Sequence, residues 1–193
     1  MSKTLMVAIR YTLVTTVLLG IVYPLVVTDL AQLTMRDKAN GQLVVRDGQV
    51  VGSAIIGQGF ATDRYFHSRP SAAGVAGYDP DATSGGASNL GPTNSALITR
   101  VKTDVEHAQA ENPGVAIPAD MVTTSGSGLD PHISPASADF QVPRVAKERG
   151  MTEAEVRLVV QRHTEGRQLG FLGEPRVNVL ELNLELNDLH PLK

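Results

Sequence analysis

Between Arg10 and Asp29 the chain carries no charge: Tyr11 to Thr28 is an uncharged run rich in Val, Leu and Thr. A helix rises ~1.5 Å per residue, so this run measures about 27 Å, close to the thickness of a bilayer's hydrocarbon core. No other long apolar stretch occurs in the 193 residues, so the run dictates the architecture. It predicts a short cytoplasmic N-terminus at 1–6, a transmembrane helix at 7–28 and an extracytoplasmic domain at 29–193. Lys3 and Arg10 precede the run and Asp29 follows it; positive flanks stay in the cytoplasm, which puts the N-terminus inside. A cleaved secretory signal is the competing reading. Against it, the run exceeds a usual signal core, and Thr28-Asp-Leu-Ala-Gln32 is a poor cleavage site. Pro24 is expected to kink the helix, and Gly20, one turn earlier, offers a thin place for a neighbouring helix. The plainer alternative is that a membrane helix merely tolerates both.

The remainder has the length of one domain. A net charge of −3 gives no basic surface for nucleic acid or anionic lipid. Cysteine is absent, which removes disulfides, thiol catalysis and thiolate metal sites together. With 4% aromatics and no Trp, the core must come mainly from Val, Leu, Ile and Ala, and partners are expected to supply part of the stability.

The expected fold is a single N-terminal transmembrane helix plus one α+β domain with a β-hairpin and several helices. Gln42 to Gly52 reads as the hairpin, turning at Asp47-Gly48, with a second arm running to Ile56. Gly57 to Pro92 has little periodicity, and so long a loop is usually an interface or a functional element. Asn94 to Asn112 is helical by its Leu97, Ile98, Val101, Val105 and Ala108 face, and Pro113-Gly114 ends it. Ser134-Pro135 starts a short helix, and Pro143 is expected to begin another that Gly150 closes. Thr152-Glu-Ala-Glu155 is a capping box ahead of Val156, Val159 and Val160. The tail fits both a strand and a helix; its Leu/Glu content predicts a short strand near Val177 leading into a helix.

Familiar catalytic patterns are missing. There is no phosphate loop of the Gly-x4-Gly-Lys-Ser/Thr type and no Gly-x-Ser-x-Gly elbow. Asp79-Pro-Asp81-Ala-Thr83 begins like a calcium loop but has Ser84 and Leu90 where Gly and Glu belong, so no metal site is expected. Histidines 67, 107, 132, 163 and 190 are scattered; His107 and His163 read as surface residues of helices, and His132, beside Asp130, reads as turn-stabilising, with a ligand-facing role as the alternative. Two loops, Thr123–Ser134 and Thr83–Asn89, offer N–H groups and hydroxyls for an anion nest, although tight turns demand the same residues.

Six segments after the apolar run carry a family resemblance. They are Gly52–Gln58, Tyr65–Ser71, Ser84–Leu90, Ser125–Pro131 with Ile133–Pro135, Arg144–Ala146 and Asn178–Leu184. In this order the chain closely resembles the C subunit of the Kdp-type potassium-transporting ATPase over essentially its whole length. An ordinary substitution is Ser68, where the pattern often has Gly.

The resemblance implies a single-pass subunit of the bacterial inner membrane with a periplasmic main domain. It implies three partners besides the lipid bilayer: a channel-like potassium-translocating subunit, a P-type ATP-hydrolysing subunit and a small single-helix subunit. It further implies a catalytic chaperone needed for assembly, which raises the pump subunit's affinity for ATP. No firmly bound cofactor is implied, ATP being used by the complex. A nucleotide-binding stretch implied for the family falls on Ser125, Gly126, Ser127 and Gly128, which the charge bias puts outside, away from cytoplasmic ATP. Tyr65, Phe66, His67, Arg69, Pro70, Gly85, Gly86, Asn89 and Asp130 are the candidates for docking on a partner.

An accessory role agrees with the residues. One helix cannot ring a potassium ion with oxygens, and the Asp-Lys-Thr-Gly-Thr motif of P-type pumps is absent, so the chain is expected not to be catalytic alone. The alternative is a membrane-anchored extracytoplasmic structural or ligand-binding domain.

Overall fold

The computed structural model describes residues 2–60, 62–73 and 86–191. The chain divides into two units, 1–51 and 52–193, each described by itself.

In the first unit the apolar run lies within one long helix, Ser2–Thr34, the single described helix long and apolar enough to cross a membrane. It comprises α1 (Ser2–Val17), a π-helical turn (Leu18–Val22) and α2 (Tyr23–Thr34). Pro24 explains the irregularity. It has no N–H to give the Gly20 carbonyl, and its ring crowds the turn before it. The helix widens there, and the Tyr23 N–H reaches Leu18 O, five residues back. A Cβ on Gly20 would meet nothing closer than 3.9 Å, so no contact within the chain demands glycine. Thr15 spends its hydroxyl on Tyr11 O at 2.8 Å, which satisfies that donor within the helix. A short helix α3 (Arg36–Ala39) follows, then strands β1 (Leu43–Arg46) and β2 (Gln49–Ser53). Asp47 (φ 50) and Gly48 (φ 77) make the expected two-residue hairpin turn. The second arm stops at Ser53 rather than Ile56, because the chain turns there, with Ile56 N–H donating to Ser53 O.

The second unit holds α4 (Ser95–Glu111), a 3-10 turn (Ala119–Met121), β3 (His132–Ile133), α5 (Pro135–Arg149), α6 (Glu153–Arg162), β4 (Thr164–Glu165), β5 (Arg176–Asn178) and α7 (Val179–Leu189). Its sheet is antiparallel in the order β3-β5-β4, with Ile133 and Thr164 both opposite Val177. Helices α5, α6 and α7 pack on it around Val142, Val145, Val156, Val177, Leu182 and Leu186, all fully buried. A smaller cluster of Ala108, Met121 and Phe140 ties the end of α4 to α5.

The caps follow the sequence. Asn94, Ser134 and Asn178 each accept from the first turn of their helix, Thr152 and Glu155 form the capping box, and Gly150 (φ 66) ends α5. The tail is a short strand followed by a helix, as expected. Pro143 does not begin a helix: it lies inside α5, which is one element of 15 residues. The hydrogen bond lost at Pro143 costs the Asp139 carbonyl its donor, but Asp139 is on the exposed side, so that carbonyl is not sealed away from solvent. The buried face of Ala138, Val142, Val145 and Ala146 outweighs the loss.

Candidate functional site

Among the described residues the stretch from Thr62 to Pro70 has no strand partner, yet Phe66, Ser68 and Pro70 are buried in alternation with half-buried Tyr65, His67 and Arg69. Side chains take the part of a β-ladder. Asn183 of α7 accepts from Phe66 N–H at 2.9 Å and donates to Phe66 O at 2.9 Å. Gln141 of α5 accepts from His67 N–H at 2.8 Å and donates to His67 O at 3.2 Å. Both amides are fully buried, and each satisfies the N–H and the carbonyl of one residue of the segment.

Two arginines extend the clamp. Arg144 donates to Asp63 O (2.6 Å), Tyr65 O (2.9 Å), Gln141 Oε1 (2.7 Å) and Glu111 Oε1 (2.8 Å). Arg149 donates to Arg64 O and to Leu186 O at the end of α7, and its guanidinium lies 5.0 Å over the Tyr65 ring. Burial, then the positive Arg144, holds the His67 imidazole below its ordinary value, so it is neutral at neutral pH.

Next to this segment lies the Gly/Ser turn. Gly128 N–H donates to Ser125 Oγ at 2.9 Å, and Leu129 N–H to Ser127 Oγ at 3.1 Å. Two of the N–H groups that an anion nest needs are thus engaged within the turn. Gly128 (φ 70) is buried where a Cβ would come within 2.8 Å of Gly86 O, and its carbonyl accepts from Ser71 Oγ at 2.6 Å. Gly126 and Ser127 remain exposed.

A polar cleft of about 500 Å³ opens beside the turn, lined in part by Arg69, Asp120, Asp130, His132, Ser134 and Arg176. Arg69 reaches Asp130 (3.4 Å), Thr123 O (3.4 Å) and Thr124 O (3.2 Å). Burial raises the Asp130 carboxyl, but the hydrogen bonds from His132 and the charges of His132 and Arg69 outweigh it and hold it below its ordinary value. Asp120 receives the N–H and hydroxyl of Ser134, the residue that caps α5. Among the described residues no three of His, Cys, Asp and Glu gather as a metal site.

The structure distributes the expected docking residues unevenly. Tyr65, Phe66, His67, Arg69, Pro70 and Asp130 belong to the clamped segment and its cleft, with Phe66 and Pro70 interior. Gly86 and Asn89 are exposed, and Asn89 takes a left-handed φ of 52. Gly85 lies outside the described residues. His132 is not a turn residue: it opens β3 opposite Asn178 and lines the cleft, with its N–H and ring both on Asp130 Oδ1. His163 is a correction: it is not a surface residue within a helix but the partly buried cap of α6, with its Nε2 on Glu185. The stabilising pull of that carboxylate, already held by Arg162, draws the ring inward. Gln141 and Asn183 were missed as site residues. Their signal is a polar residue on the apolar face of its helix, at Ala138-Gln141-Val142-Val145 and at Leu182-Asn183-Leu186.

One helix of membrane-spanning length, joined to an α+β unit whose polar centre grips its own backbone, defines a class of single-helix, one-domain membrane proteins. Within that class the chain belongs to the KdpC family, the c chain of K+-transporting ATPases, whose family model matches residues 5–188. It is 60% identical to the potassium-transporting ATPase KdpC subunit of Koribacter versatilis over 192 residues, covering 100% of this chain and 98% of the relative. It is 59% identical to the KdpC subunit of Caulobacter vibrioides (strain NA1000 / CB15N) over 177 residues, 91% of this chain and 88% of the relative. It is 52% identical to that of Rhodopseudomonas palustris (strain BisB18) over 198 residues, 97% and 98% of the two chains.

Proposed function

We propose that the chain is an accessory, non-conducting subunit of an ATP-driven, high-affinity potassium uptake complex, which stabilises assembly and raises the ATP affinity of the P-type pump subunit. The single spanning helix carries the reading: it cannot surround an ion, so conduction falls to another subunit. The partners are the channel-like, ATP-hydrolysing and small single-helix subunits. The N-terminus is cytoplasmic and the main domain periplasmic, on the charge bias of Lys3, Arg10 and Asp29.

On that topology the effect on ATP is transmitted rather than made by contact. A domain that binds one conformation of the complex more tightly than another shifts the nucleotide site by the same coupling free energy, typically ~1–3 kcal/mol. The N–H groups of Gly128 and Leu129, engaged by the Ser125 and Ser127 hydroxyls, support the same view. The test is purification of the complex in mild detergent with and without the chain. Potassium-stimulated ATPase with a lower KM for ATP in its presence is expected, and an unchanged KM would remove the chaperone role. The absence of cysteine makes orientation simple to probe. A Ser127→Cys variant should react with an impermeant thiol reagent in intact cells; labelling only after lysis would reverse the topology.

The cleft favours a second reading, a ligand-binding domain, since Arg69, His132 and Arg176 line it together with Asp120, Asp130 and Glu174. Small zwitterionic ligands such as free amino acids, tested by calorimetry on the full chain, should bind if that reading is right.

A further inference from the structure

Between β4 and β5 the chain runs out to a tight turn with an apolar tip. Leu169 is 83% exposed, Phe171 69% and Leu172 47%. The tip is nonetheless ordered. Gln168 and Leu172 pair as an antiparallel bridge, exchanging two N–H···O bonds of 2.9 Å. Leu169 (φ 53) and Gly170 (φ 82) are both left-handed. Glycine adopts that region freely, but a leucine is strained there. With its side chain 83% exposed, Leu169 recovers little of that strain within the chain. Below the tip stand two rungs of opposite charge, Arg167–Glu174 at 2.6 Å and Arg176–Glu165 at 2.8 Å.

We propose that Leu169-Gly-Phe-Leu172 is a plug that seats in an apolar pocket on another subunit of the potassium-transporting ATPase. This rests on the reading of the chain as a subunit of that complex. Three observations select this occupant. The turn is held in one shape before binding, so little ordering entropy opposes insertion. Both flanking arginines are paired with carboxylates, which makes the collar neutral. A finger that enters anionic lipid carries unpaired basic residues, whereas a neutral rim suits a protein pocket. The three side chains offer on the order of 300 Å², well short of the roughly 800 Å² per partner of a self-standing interface. That area is too small to hold a second copy of the chain, and suits an anchor within a complex held elsewhere too.

The test uses the full chain in the intact, detergent-purified complex. A photo-crosslinking phenylalanine analogue at position 171 is expected to couple to one of the sister subunits. Phe171→Ser is expected to weaken retention of the chain on the complex about tenfold or more, with the unfolding midpoint of the purified chain unchanged. Leu169→Gly relieves the strained φ, so it should raise that midpoint and still weaken retention; this opposition separates docking from folding. Crosslinks to lipid alone, to a second copy alone or to nothing would overturn the plug. If the unmodified chain itself fails to co-purify with the sister subunits, the accessory-subunit reading falls as well. If it co-purifies but position 171 reaches none of them, only the plug falls.

Discussion

Asn183 turns both ends of its amide onto one residue, Phe66, which lies 117 positions earlier in the chain. Helix α7 thereby holds a loop that no strand supports, and α5 repeats the arrangement one residue on, through Gln141 and His67.

Removing that amide strands two buried backbone groups. Each unmet group costs ~1–3 kcal/mol, so Asn183→Ala should lose about 3 kcal/mol or more. Asn183→Leu keeps the γ-branched outline and leaves no cavity, and should lose nearly as much, which separates hydrogen bonding from cavity formation. Urea unfolding of the purified chain measures both. A loss below ~1 kcal/mol in the Leu variant would mean that the clamp is not a major source of stability.

Arg144 makes its four hydrogen bonds from one planar fork, a geometry that lysine cannot copy. Arg144→Lys should destabilise by about 2 kcal/mol and loosen the chain around Asp63 and Tyr65. Tryptic cleavage after the exposed Arg64, followed by fragment mass, should accelerate severalfold; unchanged cleavage would count against the fork as the loop's restraint.

Stability should fall on the acid side of pH 6.5 in a way that depends on His67. Its folded value lies below the ordinary 6.5. The unfolded chain therefore binds the proton first, and stability is full above 6.5 and declines as pH drops toward the folded value. Asp130, also lowered, adds a separate loss below its ordinary 3.8, as its carboxylate is protonated. In His67→Gln the upper slope should vanish while the lower one persists. Chemical denaturation at intervals between pH 3 and pH 8 (roughly the span of both windows) reads the two apart.

Much of this arrangement was legible in the sequence, and the misses share a cause. Asp47-Gly48, Asn94, Thr152-Glu155 and Gly150 act through their immediate neighbours, and the structure agrees at each. Pro143 was misread because its local cost is overruled by the face that α5 buries. The clamp was half legible. Tyr65 to Pro70 stood out by resemblance, but Gln141 and Asn183 act at separations of 74 and 117 residues, where local pattern carries no information. His163 likewise owes its position to Glu185 on another helix.

The wide turn before Pro24 offers a test in the membrane. Pro24→Ala should let the helix close to regular winding, rotating its two halves by about 100° relative to each other. If the span is a packing element of the assembly, retention of the chain in the complex should drop severalfold, with membrane insertion unchanged. Equal retention would leave Gly20 and Pro24 as merely tolerated residues.

The side-chain ladder also sets an order of events. A strand can pair as soon as its neighbour exists, but Tyr65 to Arg69 have nothing to pair with until α5 and α7, encoded near the other end of the chain, have packed. The segment should therefore be the last part of its unit to form. Pulsed hydrogen exchange should find the amides of Phe66 and His67 protected after those of α5; earlier protection would refute this order. A ribosome must deliver the C-terminal helix before the chain can offer this surface to any partner, so a truncated or misfolded copy never presents it.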